Sequence, residues 1–146
     1  MGLTPKQSYI QGGHINIQSI TNKTGAIKEF ILEKNLDFLA LTETWLDGEV
    51  CDKSKIKEMT PSSHKFYQRA RKSRGGGVGI LLSKCFKNVV INETPTVSTF
   101  EVLDLTGYTL NRKLRIITVY RTPNSNIATF LDEFENFLNT FNDEML

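Results

Sequence analysis

Three polar residues stand where short strand-like runs stop: Asn16 after His14-Ile15, Glu43 after Leu36–Thr42, and Tyr120 after Lys113–Val119. The run before Glu43 is the sharpest. It is too short for a lone helix, reads as a strand buried on both faces, and ends in a carboxylate between Thr42 and Thr44. The only tryptophan, Trp45, follows two residues later. In open α/β sheets, ligands sit just beyond the carboxyl ends of strands. If the three strands are neighbours, their ends gather an amide, a carboxylate and a phenol at one rim of the sheet. That set suits Mg²⁺ and a phosphate oxygen, because Mg²⁺ takes one or two protein carboxylates and fills its other positions with water and substrate phosphate. Polar residues at strand ends are common, however, and taken alone Glu43 reads better as a solvated loop carboxylate after a strand.

Two further stretches carry charge in suggestive places. Arg69, Arg71, Lys72 and Arg74 run into Gly75-Gly76-Gly77, a basic loop whose exposed amides could lie along a polyanion. No Gly-Lys-Ser/Thr follows, so it is not a Walker loop. A solvated hairpin tip is the competing reading. In Tyr120-Arg121-Thr122-Pro123-Asn124 a strand ends, a proline breaks it and a helix is capped, which accounts for Pro123 and Asn124 but not for an arginine beside Tyr120. His14 opens a strand and His64 lies in a loop; both read as structural residues, and neither is assigned the base that would activate water.

The elements that must position these residues follow from hydrophobic period. Gly12-Gly13 opens a strand at His14–Ile17. Thr21 or Asn22 caps a helix that runs to about Leu36, with Ile27, Phe30 and Ile31 on its inner face. Strand, helix, strand implies a parallel pair with a right-handed crossover. A polar stretch from Asp47 to Ser63 holds a short helix near Ser54–Met59. Lys65–Arg69 and Val78–Leu82 form a hairpin-like pair, and Phe86–Ile91, Thr99–Leu105 and Lys113–Tyr120 are three more strands, mostly antiparallel. Ile127, Phe130, Leu131, Phe134, Phe137, Leu138 and Phe141 fall on one helical stripe capped by Asn124 or Ser125, a core face that must dock on a sheet.

Composition sets the outer limits. A chain of 146 residues with 39% hydrophobic and 23% charged residues can bury one core and is not disordered. A net charge of +2 is too small to argue for a nucleic-acid partner by itself. No apolar run reaches membrane-spanning length, and Met1–Gln11 lacks a signal-peptide core, so residues 1–12 read as a loose leader and the chain as intracellular. Cys51 and Cys85 make neither a disulfide framework nor a zinc site.

Asn16-Ile17-Gln18-Ser19-Ile20, Leu39-Ala40-Leu41-Thr42-Glu43-Thr44-Trp45, Arg74-Gly75-Gly76-Gly77-Val78-Gly79-Ile80 and Val119-Tyr120-Arg121-Thr122-Pro123-Asn124 occur in an order and spacing that resembles the endonuclease/exonuclease/phosphatase superfamily. Within it, the set is most similar to the endonuclease domain of LINE-type (non-LTR) retrotransposons. The resemblance implies a four-layer α/β sandwich of the DNase-I-like kind, Mg²⁺-dependent (or Mn²⁺-dependent) phosphodiester cleavage, DNA as partner and the nucleus as location. By the same resemblance, Glu43 binds the metal, Asn16 helps position metal and phosphate, and Tyr120 contacts the scissile phosphate. Arg71, Lys72, Arg74, Arg121 and Asn124 are the candidate DNA contacts.

The family's later Gly-Asp-Phe-Asn motif and Asp-His pair have no match here. The expectation is therefore roughly the first half of the domain, residues 13–146, inactive alone, with an open sheet face that a partner would cover. Two other readings stay open: a non-catalytic DNA- or protein-binding remnant, and a small-molecule phosphatase of the same superfamily.

Overall fold

A computed structural model describes residues 9–71 and 75–141. Lys72, Arg74 and residues 1–8 of the expected leader lie outside the described residues.

The strand–helix–strand expectation holds. Strand β1 (Gly12–Asn16) leads through helix α1 (Thr24–Lys34) to β2 (Phe38–Thr42), and the two strands are parallel, with Asn16 opposite Thr42. Helix α1 begins later than a cap at Thr21 or Asn22 would set it. Asn22 instead takes a left-handed turn (φ 65), and the flanking Lys23 supplies no side-chain cap. Helix α2 (Asp52–Met59) precedes β3 (His64–Arg69) and β4 (Val78–Ser83), an antiparallel pair in which β4 also lies antiparallel to β2. The first sheet therefore runs β1-β2-β4-β3. Strands β5 (Lys87–Ile91), β6 (Phe100–Tyr108) and β7 (Lys113–Arg121) form a second, antiparallel sheet, followed by α3 (Ile127–Asn139).

Side-chain alternation sorts the residues into four layers. Leu39, Leu41 and Leu81 of the first sheet meet Ile27, Ile31 and Met59 of α1 and α2. Ala40, Val78, Ile80 and Leu82, on the other face, meet Leu103, Leu105 and Ile116 of the second sheet. The outer face of that sheet presents Phe100, Val102, Ile117 and Val119 to Phe130, Phe134 and Phe137 of α3. The fold is a four-layer α/β sandwich.

The α3 stripe divides. Phe100 sits among Phe130, Phe134 and Phe137 at centroid distances of 5.8, 6.0 and 5.9 Å, while Ile127, Leu131 and Leu138 of the expected core face are 55%, 56% and 45% exposed. The aromatic half of the stripe docks because rings reach the sheet and bury more area. Asn126 caps the helix by accepting from the Thr129 N–H at 3.0 Å, in place of Asn124 or Ser125.

One side of the sandwich is open. Edge strands β1 and β7 flank a cleft of about 650 Å³ lined by Gly12, His14, Phe38, Ala40, Ile116 and Thr118.

Candidate functional site

Glu43 is aimed by its backbone. If β2 simply continued, its alternation would turn Glu43 toward the helices with Leu39 and Leu41. Instead Glu43 adopts left-handed φ 54, Trp45 φ 58, and the carboxylate swings to the second sheet. There it lies beside the Tyr120 phenol, whose ionisation its charge opposes. Non-glycine residues in this region are uncommon, and they persist where surrounding structure over-determines them. The restraint here is visible: the Thr44 N–H donates to Gly77 O at 3.2 Å and the Trp45 N–H to Gly76 O at 2.9 Å. On the other side, Ser19 N–H donates to Glu43 O at 2.8 Å and Ile20 N–H to Thr44 O at 3.2 Å. The segment after β1 thus runs alongside the segment after β2, which puts Asn16 one register step from Glu43.

The three strand ends do not belong to one sheet. Asn16 and Glu43 end adjacent strands of the first sheet, whereas Tyr120 ends β7 of the second and reaches Glu43 across the sandwich. Expecting a single shared sheet rim was the error; strand ends can be read from sequence, but sheet membership depends on long-range pairing. The convergence of carboxylate and phenol survives because β2 and β7 face each other.

Burial pushes the Tyr120 phenol up to about 12, helped by the neighbouring Glu43 carboxylate and by the charge of Glu101, with Arg71 pulling the other way. Tyr120 is a neutral hydrogen-bond donor throughout the ordinary pH range, able to serve a carboxylate or a phosphate oxygen.

Glu101 was missed in the sequence. It pairs with Tyr120 across β6 and β7, its side chain is 20% exposed, and it faces the first sheet with Leu103 and Leu105. The available signal was a charge at an inward position of an alternating strand. Its Oε1 accepts from the Gly77 N–H at 2.9 Å, and Oε2 lies 3.9 Å from Arg71 Nη1.

The other expected contacts scatter. Arg71 turns into the site beside Glu101 and Tyr120. Arg121 does not: its guanidinium donates to Ser125 Oγ at 3.1 Å and Ser125 O at 2.8 Å, and lies over the Phe130 ring. It points away from Tyr120 because adjacent residues of a strand face opposite sides, and it holds the turn into α3. Asn124 is exposed in a left-handed turn (φ 64). His64 is structural as expected, buried with Nε2 2.8 Å from Leu36 O, and His14 Nε2 lies 3.3 Å from Thr42 Oγ1.

Among the described residues no group of three His, Cys, Asp or Glu side chains could hold a metal. A zinc-like cage is thereby absent from them, yet a hard cation that uses one carboxylate, an amide and water suits the donors present at Glu43 and Asn16.

No family model and no curated protein matches the sequence. Solved structures do. An AP endonuclease from Archaeoglobus fulgidus superposes with a TM-score of 0.61 at 14% identity, covering 90% of this chain and 52% of that one. TDP2 from D. rerio, complexed with a single-strand DNA product, gives a TM-score of 0.64 at 14% identity over 92% and 55%. The endonuclease domain of TRAS1, a telomere-specific non-LTR retrotransposon, gives 0.60 at 10% identity over 84% and 51%. This is the DNase-I-like fold that those structures share. The chain spans about half the length of the structures it matches. No helix among the described residues is long and apolar enough to cross a membrane.

Proposed function

We propose that this chain is the amino-terminal portion of a Mg²⁺-dependent phosphodiesterase domain that nicks DNA, of the retrotransposon-endonuclease type and acting in the nucleus. The observation that carries the reading is the meeting of Glu43 and Tyr120 from two different sheets, at the ends of β2 and β7, within a fold shared with an AP endonuclease and with a TDP2 complexed with single-strand DNA product. Glu43 is the residue that would hold the cation, with Mn²⁺ able to substitute, and Asn16 beside it in register completes the first-sheet side. When bound, the cation would supply positive charge to a phosphoryl oxygen. Tyr120, kept protonated, donates to a phosphate oxygen. Arg71 adds a guanidinium on the same side, where it can take one phosphate edge.

The base and the second oxygen-binding group have no counterpart among these residues, and such groups act as a unit. The chain alone is therefore proposed to be inactive. The open cleft between β1 and β7 is proposed to take the remaining strands of such a domain, or a partner that supplies them.

Supercoiled plasmid incubated with the chain and Mg²⁺ tests this reading. No nicking is expected, and nicking lost in Glu43→Ala would overturn the inactive part while supporting the site. The non-catalytic alternative draws on the basic loop at Arg71, Lys72 and Arg74. Salt-sensitive DNA binding that weakens with those residues neutralised, and is indifferent to Glu43→Ala and Mg²⁺, would favour it.

A further inference from the structure

Glu101 is a charge on a strand face otherwise given to Leu103 and Leu105, and the reading above leaves it mostly without a task. Its surroundings show one. The Gly77 N–H donates to Oε1 at 2.9 Å, and Arg71 Nη1 approaches Oε2 at 3.9 Å, while Oε2 has no hydrogen-bond partner. Gly77, so gripped, accepts through its carbonyl from the Thr44 N–H, and Gly76 before it from the Trp45 N–H. A continuous path therefore runs from β6 of the second sheet, through the Gly75–Gly77 turn, to the residues that flank Glu43.

The turn is built for close approach. A Cβ at Gly76 would lie 2.5 Å from both Arg71 Cδ and Glu101 Oε2, and Gly76 and Gly77 stand at φ 67 and 93. Only glycine gives a backbone free to fit under the carboxylate in this conformation. At the far end of the path, Glu43 and Trp45 hold left-handed backbones that must be fixed from outside.

We propose that Glu101 is a positioning residue: from the second sheet it grips the Gly75–Gly77 turn and Arg71, and through that turn it fixes the Glu43 carboxylate opposite Tyr120. The proposal rests on the divalent-ion reading only for its effect on ion binding; the mechanical part stands apart from it.

The test reads two quantities on the full chain: amide hydrogen exchange at Thr44 and Trp45, and Mn²⁺ affinity. Glu101→Ala is expected to speed exchange at both amides by about tenfold or more, as local protection is lost. Mn²⁺ binding should weaken about 10- to 100-fold, as for other groups that orient a metal ligand. Glu101→Gln keeps an oxygen for the Gly77 N–H and should restore protection. Asn92→Ala is the structural control. It removes bonds to Asp104 Oδ1 and Thr106 Oγ1 on the opposite face of β6, so it should lower the melting temperature and leave both readouts alone. If Glu101→Ala fails to fold, Gly76→Ala forces the grip open with Glu101 in place and should produce the same two changes.

Unchanged protection at Thr44 and Trp45 in the altered chain, or equal loss of it in Asn92→Ala, would overturn the proposal. Should the parent chain bind no Mn²⁺, the ion reading fails, and the exchange measurement still decides the role of Glu101.

Discussion

Strand β6 carries an acid on each face, and the two are treated differently. Asp104 faces α3 and is fully buried. Arg115 donates to it through Nε at 3.0 Å and Nη2 at 2.7 Å, and Asn92 Nδ2 adds a bond at 2.9 Å. Glu101, three residues earlier, faces the first sheet with one hydrogen bond, an arginine at ion-pair distance and one oxygen without a hydrogen-bond partner. The first acid is satisfied from every direction and has nothing left to offer a ligand. The second sits beside the Glu43–Tyr120 pair with unused capacity. Asp104 is closed, whereas Glu101 keeps one oxygen open, as a site that binds something must keep valence in hand.

The comparison is broken most severely by opening the closed acid. Arg115→Ala leaves Asp104 buried without its cation and should cost about 3–5 kcal/mol, read as an early midpoint in urea. Next comes the turn that serves the open acid. Gly77→Ala adds a Cβ against Thr44 Oγ1 at φ 93 and should cost about 1–3 kcal/mol in the same experiment.

A smaller effect tests Tyr120. Its pKa is raised from 10.0 to about 12, so the folded state holds the proton more tightly than the unfolded state. That contribution to stability is complete below pH 10 and is lost as pH rises toward 12. Tyr120→Phe should remove this part of the alkaline decline, measured by urea midpoints at stepped pH. Smallest in stability is Glu43→Gln, expected within about 0.5 kcal/mol. Its signature is spectroscopic: losing the charge should lower the Tyr120 pKa from about 12, followed by ultraviolet absorbance of the phenolate.

Much of the frame was legible in the sequence, since it rests on local period. Every strand and helix was anticipated within a few residues, and the β1–β2 parallel pair followed from the intervening helix. Glu43 stood out for the same reason: a buried run ending in a carboxylate is a local pattern. What escaped depends on pairing over long separations. Tyr120 belongs to a different sheet from Glu43, which no spacing reveals. Glu101 could be noticed only by asking which face of β6 it took, and that required knowing that Leu103 and Leu105 faced the first sheet. Arg121 looked like a site residue because it is next to Tyr120 in sequence, although adjacency along a strand means opposition across it. The α3 stripe was read as uniformly buried, and only its aromatic half found a sheet to cover.

The central claim is that the ends of β1, β2 and β7 form one divalent-ion seat. Paramagnetic broadening by Mn²⁺, followed amide by amide in an isotope-labelled chain, measures it directly. The predicted result is broadening confined to residues near Asn16, Glu43–Trp45, Glu101 and Tyr120, and absent in Glu43→Gln. Broadening centred elsewhere, or persisting unchanged in Glu43→Gln, would contradict it.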